Sequence, residues 1–176
     1  MKIPVIKGVI ERRILANYHV EPEVIARLLP KPFRPKLAHG MALAGICLIR
    51  LAGVRPKFLP LPWGIRSENA AHRIAVEWEA DGKLLQGVYI PRRDTSSRLN
   101  TWAGGTVFPG VHNHAQFAVQ ETPERVSVSV VSDDHSMRLH VSGVVAKDLP
   151  RSSVFETFGG SVSVFRRRIA GVFGHA

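Results

Sequence analysis

Any chemistry in this chain rests on a few polar residues at marked places. The first is Pro91-Arg92-Arg93-Asp94. It follows a segment that reads as a strand and precedes one that reads as a helix, where backbone amides also favour an anion. Neighbours on a strand face opposite ways, so one arginine would enter an interior while the other braces it or meets solvent. The plainer reading is a solvated basic corner paired with Asp94. His112 and His114 lie two apart on a segment read as a strand, hence on one face, as a metal or a proton-transfer pair would need. His140 lies on a later strand. No third ligand is evident, so no metal is assigned. Glu68 is a lone carboxylate between a proline-rich segment and a hairpin, and such a residue is most often simply solvated. Arg166-Arg167-Arg168 reads as a solvated helix face rather than a membrane or nucleic-acid surface. Cys47 is the only cysteine. That excludes an intramolecular disulfide, and the residue reads as a buried thiol. The nucleophile elbow, the phosphate-binding loop and the dinucleotide glycine fingerprint are all missing from the sequence.

The elements that must position these residues are mostly strands. Pro22 opens a short helix over 22–29 that Pro30 ends, with Val24, Ile25, Leu28 and Leu29 on one face. Residues 41–51 form an apolar run suited to a buried strand. Prolines 56, 60 and 62 around Trp63 exclude regular structure between Val54 and Ser67. Ile74, Val76 and Trp78 alternate with polar positions, and Asp81-Gly82 turns the chain into a strand over 83–90. Thr95 to Ala103 reads as a helix, followed by strands near 107–120, 125–132 and 136–146. Apolar positions from Phe155 to Ile169 predict a C-terminal helix, with Ser153 and Glu156 as its capping box. The expectation is a mainly β (α+β) chain of antiparallel, barrel-like strands with few short helices.

A chain of 176 residues with 45% hydrophobic and 22% charged content fits a single globular domain, here 1–176. No apolar stretch is long enough to span a membrane as a helix, no signal-like start is present, and the expected location is the cytoplasm. The formal charge is +10, with 24 Lys and Arg against 14 Asp and Glu. The basic residues are scattered and carry no nucleic-acid-binding motif, which argues against nucleic acid as a partner. Arginines outnumber lysines by 17 to 7. A guanidinium fork holds a carboxylate or phosphate through paired hydrogen bonds, so a small anionic metabolite is the preferred partner.

The ordered features also resemble a known family. Arg12-Arg13-Ile14-Leu15-Ala16-Asn17-Tyr18-His19-Val20-Glu21-Pro22-Glu23, running into Leu28-Leu29-Pro30, resembles the opening of acetoacetate decarboxylase and its relatives. Ser67-Glu68-Asn69 resembles their threonine-glutamate-serine step, and Ile90-Pro91-Arg92-Arg93 their proline-lysine-lysine. Ser96-Ser97-Arg98-Leu99-Asn100 and His112-Asn113-His114-Ala115-Gln116-Phe117 are similar to a branch without assigned function, the YqjF-like proteins. The resemblance implies an antiparallel β-barrel enclosing a ligand cavity. It implies that Glu68 and the pair Arg92-Arg93 stand where the family's glutamate and lysine pair act, with Arg12 or Arg13 at its N-terminal arginine. The residues themselves add His114 to Glu68 and Arg92 as a catalytic candidate, and His112 to Arg12, Arg13, Arg92 and Arg93 as a ligand-binding one. Arg92, the first of its pair, would face the cavity within reach of Glu68.

The lysine pair is where the sequence departs from the family. One of those lysines forms a Schiff base, and an arginine cannot, because its guanidinium stays protonated near neutrality. The expectation is a protein that binds a small carboxylate or 3-oxo acid without imine decarboxylation and without a cofactor. If it is an enzyme, it would be a non-imine lyase, hydrolase or isomerase acting on a small carboxylate. A nucleic-acid-binding role and a non-catalytic structural or regulatory role are the alternatives, and a homo-oligomer is left open.

Overall fold

The computed structural model describes residues 6–56, 58, 64–103, 111–146 and 148. In chain order these form β1 (Ile6–Val20), α1 (Pro22–Ala26), β2 (Arg34–Pro35), β3 (Leu37–Ala38), β4 (Met41–Pro56), β5 (Ile65–Ala80), β6 (Lys83–Thr95), α2 (Arg98–Ala103), β7 (Asn113–Glu121), β8 (Arg125–Ser132) and β9 (Arg138–Val144). The sheet order is β1-β4-β5-β6-β7-β8-β9, with β2 on β5 and β3 on β4.

Two expectations about the sheet need correcting. It is mixed, not purely antiparallel: β6 and β7 run parallel, with Asp94 opposite Asn113 and Thr95 opposite His114. The connection that carries α2 is long enough for such a crossover, which a tight hairpin is not. Nor is a closed barrel present among the described residues, because β1 and β9 stand at the two ends of the order.

The chain divides into two compact units. One comprises Met1–Asn17, Gly45–Arg73 and Ile90–Gly143. Its core is Ile46, Leu48, Ala70, Ala115, Val128, Val130 and Met137, with Ile14, Ala16, Phe117 and Val119 packed against it. Ile14 and Ala16, Ile46 and Leu48, Ala115, Phe117 and Val119, and Val128 and Val130 each recur at every second position of a strand, the spacing that puts them on one face. β7 and β8 pair antiparallel, with Ala115 opposite Ser132 and Phe117 opposite Val130.

The other unit holds Tyr18–Ala44 and Ile74–Tyr89. Ile25 of α1 packs there with Ala42, Ile74 and Val76, flanked by Phe33, Trp78 and Tyr89. Phe33 meets Trp78 edge-on at 5.2 Å between ring centroids. The Asp81-Gly82 hairpin has positive φ at both turn residues, 51° and 68°. A short polar residue followed by glycine suits that geometry. His39 and Gly40, at 52° and 81°, make a second such turn between β3 and β4.

Several boundaries move. α1 stops at Ala26, because Leu28 and Leu29 turn back through three-residue hydrogen bonds to Ile25 and Ala26. Such bonds tighten a helix end before the proline at position 30. β4 extends to Pro56 and β5 begins at Ile65, so regular structure reaches into the segment from which the prolines were expected to exclude it. A proline at the last position of a strand removes no ladder bond that the strand needs. Pro91-Arg92-Arg93-Asp94 belongs to β6 rather than following it, and α2 begins only at Arg98. The expected C-terminal helix, with Arg166-Arg167-Arg168, lies outside the described residues.

Candidate functional site

The pleat of the first unit sorts the candidate residues onto two faces. Arg12 precedes the core residues Ile14 and Ala16 by two and four positions, Arg50 follows Leu48 by two, and Glu68 precedes Ala70 by two. All three therefore point to the core face. Asp94 shares that face, since it stands opposite Asn113, two residues before the buried Ala115. Arg92, two residues from Asp94, lies there as well. Arg13, Arg93, Thr95 and His114 lie on the opposite face by the same alternation.

On the core face Arg12 and Arg50 enclose Glu68. Arg12 donates from Nη2 to Oε2 at 2.5 Å, and Arg50 from Nε to Oε1 at 2.6 Å. The same two guanidinium groups reach Oε2 of Glu121 at the end of β7, each at 3.0 Å. The result is a neutral quartet of two arginines and two glutamates. The Arg12 side chain is only 9% exposed and that of Glu68 16%. Hydrogen bonding from Arg12 holds the Glu121 carboxyl below its ordinary range, and the bond to Glu68 raises Arg50. Ser96 fixes Glu68 in place: its Oγ accepts from the Glu68 amide and its own amide donates to the Glu68 carbonyl, both at 2.9 Å.

Arg92 is engaged elsewhere. Nε and Nη2 donate to the fully buried Asp94 at 2.9 and 2.7 Å, and Nη1 and Nη2 donate to Asp134 at 3.1 Å each. Ser136 takes a further bond. These bonds raise the Arg92 guanidinium and push Asp134 far below the carboxylate range. The Arg92–Glu68 pair expected from the sequence is therefore not formed, because each partner is already saturated. His72 lies 3.9 Å from Asp94, and its buried Nε2 has no hydrogen-bond partner among the described residues. Burial lowers its pKa, against the pull of Asp94.

On the opposite face the balance is different. Arg93 is half-buried, burial lowers its pKa, and among the described residues no carboxylate or other side chain pairs with its guanidinium. Arg13 is exposed, and its positive charge adds to burial, the larger cause, in lowering the pKa of Arg73. His114 stands opposite Thr95, and its Nδ1 lies 2.7 Å from Asp133 Oδ2. His112 lies just before β7 rather than on it. His140 hydrogen-bonds Ser129 at 2.9 Å and does not join them.

The resemblance placed Arg12 or Arg13 with Glu68, and it is Arg12 that bonds it. Sequence reasoning missed Arg50, Glu121, Asp134 and His72. Arg50 left a faint signal, an arginine continuing the every-second-residue buried series Ile46 and Leu48. Glu121 left none, since its partner Arg12 is 109 residues away. No group of His, Cys, Asp and Glu among the described residues is arranged to hold a metal.

The fold that these long strands form is found in solved proteins. The acetoacetate decarboxylase of Legionella pneumophila matches with a TM-score of 0.56 at 12% identity, over 79% of this chain and 49% of that one. The enduracididine biosynthesis enzyme MppR, complexed with pyruvate, matches with a TM-score of 0.52 at 14% identity, over 80% of this chain and 57% of that one. MppR with the condensation product of pyruvate and imidazole 4-carboxaldehyde gives 0.53 at 15%, over 82% and 57%. The fold is thus acetoacetate decarboxylase-like, and this chain spans about half the length of the proteins it matches. The family model of DUF2071, described as an uncharacterized conserved protein, matches residues 9–165, and the chain belongs to that family. No curated protein matches it.

Proposed function

We propose that this protein binds a small carboxylate or oxo acid, held by Arg93, and does not form an imine with it. The observation that carries the reading is the contrast among arginines. Arg12, Arg50 and Arg92 each have carboxylates on their guanidinium groups, while Arg93 keeps a half-buried positive charge that nothing described neutralises. A partly desolvated guanidinium fork is a ready site for an anion. The pyruvate in MppR, a protein of like fold, supports the ligand class. In this reading the lysine pair of the decarboxylase is replaced by Arg92-Arg93, and Arg92 becomes a strut between Asp94 and Asp134. The chain's work would be done in the cytoplasm on a metabolite, not on nucleic acid.

A non-catalytic role is the second reading, favoured by the apolar packing of Ile46, Leu48, Ala70 and Ala115 on the face shared by Arg12 and Arg92. One experiment separates the two. Pyruvate, acetoacetate and other small acids are titrated against the melting temperature of wild type, Arg93→Ala and Arg92→Ala, since a ligand specific to the native state raises it. The binding reading expects an acid that stabilises wild type and Arg92→Ala but not Arg93→Ala. If no acid stabilises wild type, the non-catalytic reading takes its place. Borohydride should trap no adduct, and a reduced lysine adduct would refute the absence of imine chemistry.

A further inference from the structure

The face that carries Arg93 also carries a second feature with the makings of a reaction. His114 of β7 stands opposite the fully buried Thr95 of β6, and Arg93 lies two residues before Thr95 on the same face. Adjacent strands are about 4.8 Å apart and two residues rise about 6.6 Å, so the Cα atoms of Arg93 and His114 lie about 8 Å apart. At that spacing both side chains can reach one small molecule on this face. His114 is itself oriented. Its Nδ1 meets Asp133 Oδ2 at 2.7 Å, and the Asp133 amide donates to the His114 carbonyl at 3.1 Å. Asp133 is thus fixed to the residue it orients by both backbone and side chain. An aspartate on Nδ1 keeps that nitrogen protonated and leaves the Nε2 lone pair as the acceptor. The His114 side chain is 20% exposed, and no other described group bonds its ring.

We propose that His114, oriented by Asp133, is a general base for an oxo acid held on Arg93, and that it removes a proton from the carbon next to the ligand's carbonyl. The proposal rests on the reading of Arg93 as the anion site. In the step, Nε2 forms an N–H bond as the C–H bond breaks. The C–H electron pair becomes the enolate double bond, and the carbonyl π pair moves onto oxygen. The imidazolium then returns a proton to carbon, so no oxidant, reductant or cofactor is needed. Glu68 takes no part, because both of its oxygens are held by Arg12 and Arg50 on the other face. His112 precedes the strand and is not required by the step.

The test follows exchange of the pyruvate methyl protons for deuterium by proton NMR in D2O, with melting temperature as a parallel measure of binding. Wild type should accelerate exchange, and His114→Gln should lose about 10²-fold or more while pyruvate still raises its melting temperature. Asp133→Asn should slow exchange with binding kept, and the nitrogen chemical shifts of His114 should change from the Nδ1–H tautomer to a mixture. Equal exchange by wild type and His114→Gln, with pyruvate bound to both, would overturn the base and leave the anion site standing. If pyruvate fails to stabilise wild type, or stabilises Arg93→Ala equally, the reading of Arg93 falls, and this inference with it. Should His114→Gln not fold, Asp133→Asn alone decides, and unchanged exchange in it overturns the proposal.

Discussion

Replacing Glu68 by alanine puts the core-face quartet to a quantitative test. Arg12 and Arg50 would share only Glu121, so the cluster would change from neutral to one excess positive charge. Leaving a fully buried charge without its partner costs about 3–5 kcal/mol. Here Glu68 is 16% exposed, Arg50 is 19% exposed, and each arginine keeps one carboxylate, so we discount that cost to about 2 kcal/mol. For a chain of this size that is a fall of about 4–8 °C in melting temperature. Glu121→Ala should cost less than about 1 kcal/mol, because Glu121 is 38% exposed and its loss leaves the Glu68 bonds intact. Denaturant unfolding of the two single variants, and of Glu68→Ala combined with Arg50→Ala, gives the coupling directly. We expect about 1 kcal/mol or more between positions 68 and 50. Equal losses for Glu68→Ala and Glu121→Ala, or no coupling between Glu68 and Arg50, would refute the quartet as described.

Three further expectations follow from the same geometry. His72 has a lowered pKa, so the unfolded chain takes up its proton first as pH falls; stability should be full above about pH 6.5, decline below it, and lose that part of the slope in His72→Gln, as read by unfolding at a series of pH values. Glu121 and Asp134 are depressed carboxylates, and their stabilisation is present above about pH 4 and lost as pH falls further; Asp134→Asn should flatten the acid limb of the same stability profile. Gly45→Ala should destabilise, because a Cβ there would run into the Ala16 carbonyl oxygen and the Asn17 side chain, and relieving such crowding costs about 1–3 kcal/mol in denaturant unfolding.

What could be read in the sequence was what neighbouring residues decide among themselves. Val126, Val128 and Val130 alternate with serines, and β8 forms there. Asp81-Gly82 is a turn because few residue pairs accept two positive φ values, whereas His39-Gly40, which meets the same demand, gives a weaker signal and was not anticipated. That Arg92 and Arg93 face opposite ways is also local, since adjacent strand residues must. Which of them meets the core is not local. It depends on Asp94 standing opposite Asn113 across a parallel crossover, a register set by long-range pairing. Of the partners of Glu68, Arg50, 18 residues away along the chain, was hidden for the same reason, and Arg12, 56 residues away, was reached only through the family resemblance. Arg92, the residue first expected to hold the ligand, is held by Asp134, which nothing in the sequence ties to it.

A crystal structure of the protein grown with pyruvate or the best stabilising oxo acid tests the central claim most directly. The account predicts the ligand's carboxylate against the Arg93 guanidinium, its carbonyl carbon unbonded to any lysine, and the Arg12–Glu68–Arg50 bonds unchanged. A ligand joined to a lysine as an imine, or a carboxylate seated on Arg92 with Asp94 and Asp134 displaced, would contradict it.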